Sequence, residues 1–230
     1  MSPTISSVPR ARRAGVTSFV DARMHLGVEL GGAGRHPGAA RWSGQDPAAL
    51  GGVPHHLGLV MAAARRGLEF VALPADLCAG GADAVSFAAR VAPLVPGIGL
   101  IPAVDVTVAG PDGPAAGVTL LDAVSAGRVG WQPTLPAASP AERSAVVAEA
   151  VDAVARHRSA DPASRPPLVV VRVDGPDALA AASRWADVVR IAAPGLDAAH
   201  ATRALVRDAV AAAGRDPDRV PVLLDVEVHL

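Results

Sequence analysis

Apolar residues in this chain fall into short continuous runs, separated by longer stretches in which they recur every three or four positions. The runs read as seven strands, at His25–Leu30, Phe70–Pro74, Ile98–Val106, Arg128–Gln132, Leu168–Val173, Asp187–Ala193 and Pro221–Val228. Several are nearly unbroken Val, Leu and Ile, which suits parallel strands covered on both faces. The helical spacing predicts helices at about His55–Arg66, Ala82–Ala92, Val118–Ala126, Pro140–His157, Pro176–Trp185 and Asp197–Ala213. Gly67, Gly127 and Gly214 stand where C-terminal caps belong, and Ser139, Asp174 and Asp197 stand near helix starts. Strand–helix alternation of this kind implies an α/β protein with a parallel sheet. The pattern alone leaves open whether that sheet is a doubly wound fan or a closed barrel.

Composition narrows the class. The chain has 230 residues, 50% of them hydrophobic, and a formal charge of −1. That length suits one α/β barrel at the short end of a range of roughly 200 to 400 residues. No domain boundary is visible within residues 24–230, which read as a single domain. Residues 1–23 carry Arg10, Arg12 and Arg13 without a long apolar segment, and read as a disordered basic tail rather than a signal peptide. Near-neutral charge argues against nucleic acid as a partner. No apolar run approaches the roughly 18 residues of a membrane span, so no membrane partner is expected. The single cysteine, Cys78, cannot form an internal disulfide and fits a cytoplasmic location. Lysine is absent, and with it any Walker A phosphate loop.

Residues 117–132, GVTLLDAVSAGRVGWQ, carry the most information. A short amphipathic helix runs into Gly127-Arg128-Val129-Gly130-Trp131-Gln132, where apolar and polar positions alternate as in a strand. The string L-x-x-V-S-x-G-R-x-G-W-Q closely resembles the region of the fourth barrel strand in luciferase-like, flavin-dependent monooxygenases. Further segments are similar to that family in the same order: MHLGVELGGAGRH with Trp42, AARRGLEFVALPADL, GIGLIPAVDVTV, ASRWADVVRIAA and AAAGRDPDRVPVLLDVEV. The subgroup most resembled is that of nitrilotriacetate monooxygenase and pristinamycin synthase subunits.

The resemblance implies a TIM-like (β/α)₈ barrel, with functional groups at the C-terminal ends of the strands. It places Asp76, Asp105, Thr107 and Gln132 at a flavin, His36 as a catalytic proton donor or acceptor, and Trp42 at the substrate. The function implied is that of a flavin-dependent oxidoreductase or monooxygenase. Reduced FMN from a separate flavin reductase, or a deazaflavin in its place, would act with O₂ on a small organic substrate.

Three departures qualify this expectation. Only about 35 residues separate Gln132 from Leu168, where the family has a long insertion. Asp174-Gly175-Pro176-Asp177 replaces a Ser/Gly-rich, phosphate-binding helix start: two carboxylates repel phosphate, and Pro176 removes an N–H donor. Seven strands are found and no eighth follows before Leu230, so an incomplete barrel with unpaired strand edges is expected. Such edges point to a homodimer or an accessory partner. They also keep open the alternative of a degenerate, non-catalytic barrel serving as a weak flavin binder or partner subunit.

Other signals read as structure. Gly31-Gly32-Ala33-Gly34 follows a strand but lacks the third glycine and the helix of a dinucleotide fingerprint. His55 and His56 point about 100° apart on a helix, unlike the i, i+4 pair of a helical metal site, so no metal is expected. Cys78 has no neighbouring base in sequence to activate it. Asp225 and Glu227 alternate with Val226 and Val228 and so share one strand face. If that face is interior, they need a partner such as an arginine.

Overall fold

Seven parallel strands lie in one sheet in chain order: β1 (Gly27–Glu29), β2 (Phe70–Leu73), β3 (Gly99–Asp105), β4 (Gly130–Thr134), β5 (Leu168–Val173), β6 (Val188–Ala192) and β7 (Val222–Asp225). This computed structural model describes residues 24–31, 38–42, 44, 46–77, 83–107, 110, 112–134, 140–157 and 166–227. The eight helices among them are α1 (Ala39–Trp42), α2 (Pro47–Leu50), α3 (Val53–Arg65), α4 (Ala84–Val91), α5 (Asp112–Ser125), α6 (Pro140–His157), α7 (Pro176–Trp185) and α8 (Leu196–Ala212). The expected basic tail, residues 1–23, lies outside the described residues.

The sheet is curled, and one contact proves it. Arg190 on β6 donates to Glu29 on β1 at 2.7 Å and to Gln132 on β4 at 3.2 Å. In a flat sheet β6 and β1 would stand five spacings of about 4.8 Å apart, far beyond side-chain reach. The strands therefore wind around a common interior, which settles the choice between fan and barrel that periodicity left open.

Most of the apolar core lies outside the cylinder, between strands and helices. One cluster joins Val104, Trp131, Val169, Val189 and Ile191 to α5–α8, and another joins Val71, Leu73 and Leu100 to α3 and α4. The interior cluster is small: Ala72, Ile101 and Val170, with Phe70 and Val188 against them. Alternation along β3 sorts these faces, Leu100 and Val104 turning to the helices while Ile101 turns inward. Phe70 fills the interior where Gly27 leaves room, since a Cβ at Gly27 would overlap the Phe70 ring.

Differences from the sequence reading are local. Helix α5 starts at Asp112, six residues before the expected Val118. Gly113 and Pro114 discourage a helix in its interior, yet in a first turn the N–H groups have no intrahelical partner and proline is tolerated. Strand β4 runs on to Thr134 through Pro133, which has no N–H. It pairs with β5 only as far as Trp131, so the missing donor leaves no gap in that ladder. The expected C-caps hold: Gly67, Gly127 and Gly214 adopt φ of 77°, 75° and 76°. The N-caps of α7 and α8 are instead Gly175 and Gly195, without a side-chain cap.

Two of those glycines precede arginines that act as clamps. Arg128 donates through Nε to Ser125 O at 2.8 Å, and through its terminal nitrogens to Ile98 O at 2.6 Å and Ala92 O at 2.8 Å. It thereby satisfies carbonyls around the ends of α4 and α5 that have no intrahelical donor. Arg215 repeats the arrangement on α7, reaching Ala186 O at 2.7 Å and Ser183 O at 3.3 Å. In the GRVGWQ segment Trp131 is fully buried, although its indole N–H meets no acceptor among the described residues. That omission costs about 1–3 kcal/mol. Burying an aromatic of about 150–250 Å² at about 25 cal/mol per Å² outweighs it.

Arg128→Met should lower unfolding stability by about 2–3 kcal/mol, since several carbonyls lose one charged donor. Arg128→Lys should recover little, because an ammonium cannot reproduce the planar fork. Urea denaturation checks both; a loss below about 0.5 kcal/mol for Arg128→Met would show that water replaces the clamp.

Candidate functional site

The C-terminal ends of β1–β6 surround a cavity of about 210 Å³. Its polar side chains are Glu29, Gln132, Thr134, Arg172 and Arg190. Ala72, Leu73, Pro74 and Ile101 supply apolar wall. Each polar group arrives by strand alternation: Gln132 and Thr134 are two apart on β4, and Arg172 stands in register with Arg190 on β6. Ligand pockets commonly measure about 300–1,000 Å³, so this pit suits a small molecule or one end of a larger one.

Arg190 organises the pit. Its side chain is only 7% exposed. Nε donates to Asp225 Oδ1 at 2.9 Å, and one terminal nitrogen donates to both Asp225 Oδ2 (3.1 Å) and Glu29 Oε2 (2.7 Å). The other terminal nitrogen donates to Gln132 Oε1 at 3.2 Å. Burial disfavours the guanidinium charge. The hydrogen bonds and charges of Asp225 and Glu29 outweigh that penalty and raise its pKa above the ordinary arginine value. A raised pKa means the cation's contribution is complete below the unfolded-state value and is lost only when pH climbs through the folded one, far above neutrality. Arg172, beside it, has Nε 3.5 Å from Asp225 Oδ2.

Among the residues expected at the flavin, the structure brings Gln132 to the cavity. Asp76 is exposed in the turn after β2, one residue beyond Ala75, which does line it. Asp105 and Thr107 engage each other: Asp105 Oδ1 accepts from the Thr107 backbone N–H at 2.9 Å and from its hydroxyl at 2.6 Å. Asp105 is in register with Thr134 but is not part of the cavity lining. Trp42, expected at the substrate, ends α1 with 76% exposure and is likewise not part of the lining. His36 and Cys78 lie outside the described residues. The interior partner anticipated for Asp225 is present, and it is Arg190. Glu29, Arg172, Arg190 and Thr134 were not singled out in the sequence. The available signal was an arginine inside each of two Val/Ile runs, VVVRV and VVRIA.

The same architecture occurs in solved structures. EDTA monooxygenase from Chelativorans sp. BNC1 shares 18% identity and a TM-score of 0.69 over 88% of this chain and 64% of its own. Riboflavin lyase, solved with modified FMN and substrate riboflavin, gives 14%, 0.71, 88% and 62%. The coenzyme F420-dependent tetrahydromethanopterin reductase from Methanopyrus kandleri gives 14%, 0.65, 88% and 65%. The chain therefore spans just under two thirds of the length of each of these three. At such identities the likeness establishes the fold alone, seven strands of a TIM-like barrel shared with these enzymes. No family model matches the chain, and no curated protein matches it by sequence.

Arg190→Met should destabilise the protein by about 3–5 kcal/mol, because Glu29, Asp225 and Gln132 all lose the buried guanidinium that donates to them. Urea unfolding tests this. A deficit below about 1 kcal/mol would mean that the cluster is already solvated.

Proposed function

We propose that this chain forms the barrel of a flavin-dependent oxidoreductase of the luciferase-like class, acting on a small organic substrate. The observation that carries the reading is the polar cavity at the strand C-termini, with Gln132 from the GRVGWQ motif in its wall. In barrels of this type chemistry is assembled at that end. The shared fold and the motif support the flavin assignment. FMN and a deazaflavin are both compatible with it, since one structural neighbour holds modified FMN and another depends on coenzyme F420.

The residues present fit one end of a flavin better than the whole. Gln132 Oε1 accepts from Arg190, which leaves its amide nitrogen with two N–H donors for the pyrimidine edge of a ring. The Thr134 hydroxyl can donate or accept beside it, while Ala72, Pro74 and Ile101 keep water from that side of the pit. Arg190 fixes the Gln132 rotamer, so the amide is oriented before any ligand arrives. A bound reduced flavin would supply reducing equivalents, and with O₂ the means of oxygenation; a separate reductase would deliver it. The phosphate has no evident cradle at α7, where Pro176 and Asp177 occupy the first turn.

Those features favour a second reading, a barrel that binds flavin weakly and works as a partner subunit. The two readings separate on affinity. Titrating the purified chain with FMN and riboflavin should quench flavin fluorescence and raise Tm, with the two affinities within about threefold if the ring carries binding. Asp174→Ser with Asp177→Gly should tighten FMN and leave riboflavin unchanged, by removing repulsion at the helix start. No saturation by either flavin up to about 1 mM would remove the oxidoreductase reading.

A further inference from the structure

We infer that Arg172 is the recognition group for a small ligand bearing a single carboxylate, bound in the cavity at the strand C-termini. The two interior arginines are unequal. Arg190 makes four hydrogen bonds, to Asp225 twice, Glu29 and Gln132, which nearly exhausts a guanidinium's five N–H donors. Arg172 lines the same cavity and meets only Asp225, by Nε at 3.5 Å, so its two terminal nitrogens have no hydrogen-bond partner among the described residues. Its side chain is 35% exposed against 7% for Arg190. It is therefore the more accessible of two cations in adjacent register.

An uncommitted guanidinium fork in a partly enclosed pit is matched in shape to a planar carboxylate, which takes two parallel N–H donors. Charge sets the class more narrowly. Arg172, Arg190, Glu29 and Asp225 sum to zero, so one added negative charge meets a neutral cluster, whereas a phosphate dianion adds two charges near Glu29. The apolar wall of Ala72 and Ile101 suits a short hydrocarbon or ring behind the carboxylate. As a statement of substrate class this rests on the oxidoreductase reading, but recognition of the anion needs no flavin.

The test uses benzoate and its neutral isostere benzamide, titrated by calorimetry or NMR into the full chain without flavin. Benzoate should bind about ten- to a hundredfold more tightly than benzamide, the worth of a charge-assisted pair. Arg172→Gln should abolish that preference, and Arg172→Lys should keep part of it, with both folds checked by circular dichroism. Equal binding of the two ligands to the natural chain, no binding of either, or a preference that survives Arg172→Gln would overturn the assignment. The natural-chain comparison stands even if Arg172→Gln fails to fold. FMN titration of the same preparation separates the two claims. Flavin binding without benzoate preference removes only the carboxylate site, and benzoate preference without flavin binding removes only the flavin reading.

Discussion

One buried guanidinium ties the structure together. Arg190 projects from β6 into the interior and meets β1, β4 and β7 at once, through Glu29, Gln132 and Asp225. Hydrogen bonding between β1 and β7 is absent among the described residues, so the sheet ladder does not close the cylinder there. The ion pairs span that opening from inside. An arginine stays protonated in a protein, so a buried one must be paired or bear a desolvation cost of several kcal/mol. The geometry that satisfies it also fixes the curvature of the sheet and the orientation of Gln132. Closure and cavity thus share one cause.

The GRVGWQ segment divides its residues between architecture and site. Gly127 supplies the left-handed turn after α5, and Arg128 clamps neighbouring helix ends. Gly130 keeps the interior face clear, since a Cβ there would lie 3.2 Å from Leu168 O and 3.4 Å from Val170. Trp131 faces outward into the layer between strands and helices. Only Gln132 reaches the cavity. With Val129 buried in the cluster beside α3 and α4, five of these six residues serve the barrel itself, which explains why the string announces a fold more securely than an activity.

Much of the fold was legible because burial on both faces forces long apolar runs. Helices α6 and α7 match their expected limits, and all seven strands overlap their expected positions, five of them in runs rich in Val, Leu and Ile. The start of α5 was hidden because Gly113 and Pro114 are judged by their cost inside a helix, which does not apply in a first turn. The one-turn helices α1 and α2 are too short to show a period. The site was less legible. Asp225 announced its need for a cation, but choosing Arg190 requires knowing that β6 and β7 are neighbours in register, with Ala192 opposite Asp225. Glu29 lies 161 residues from Arg190, so their meeting depends on closure and leaves no local trace. Helix and loop positions such as Trp42 and Asp76 depend on how each connection folds over the mouth, which periodicity does not specify.

The central claim is that β1 and β6 touch across the interior through Glu29 and Arg190. A double-mutant cycle with Glu29→Gln, Arg190→Met and the pair, read by urea unfolding, measures that contact directly. The account predicts a coupling of about 1–3 kcal/mol, as for groups in one ion-pair network. Additive effects, with coupling within about 0.3 kcal/mol of zero, would contradict it.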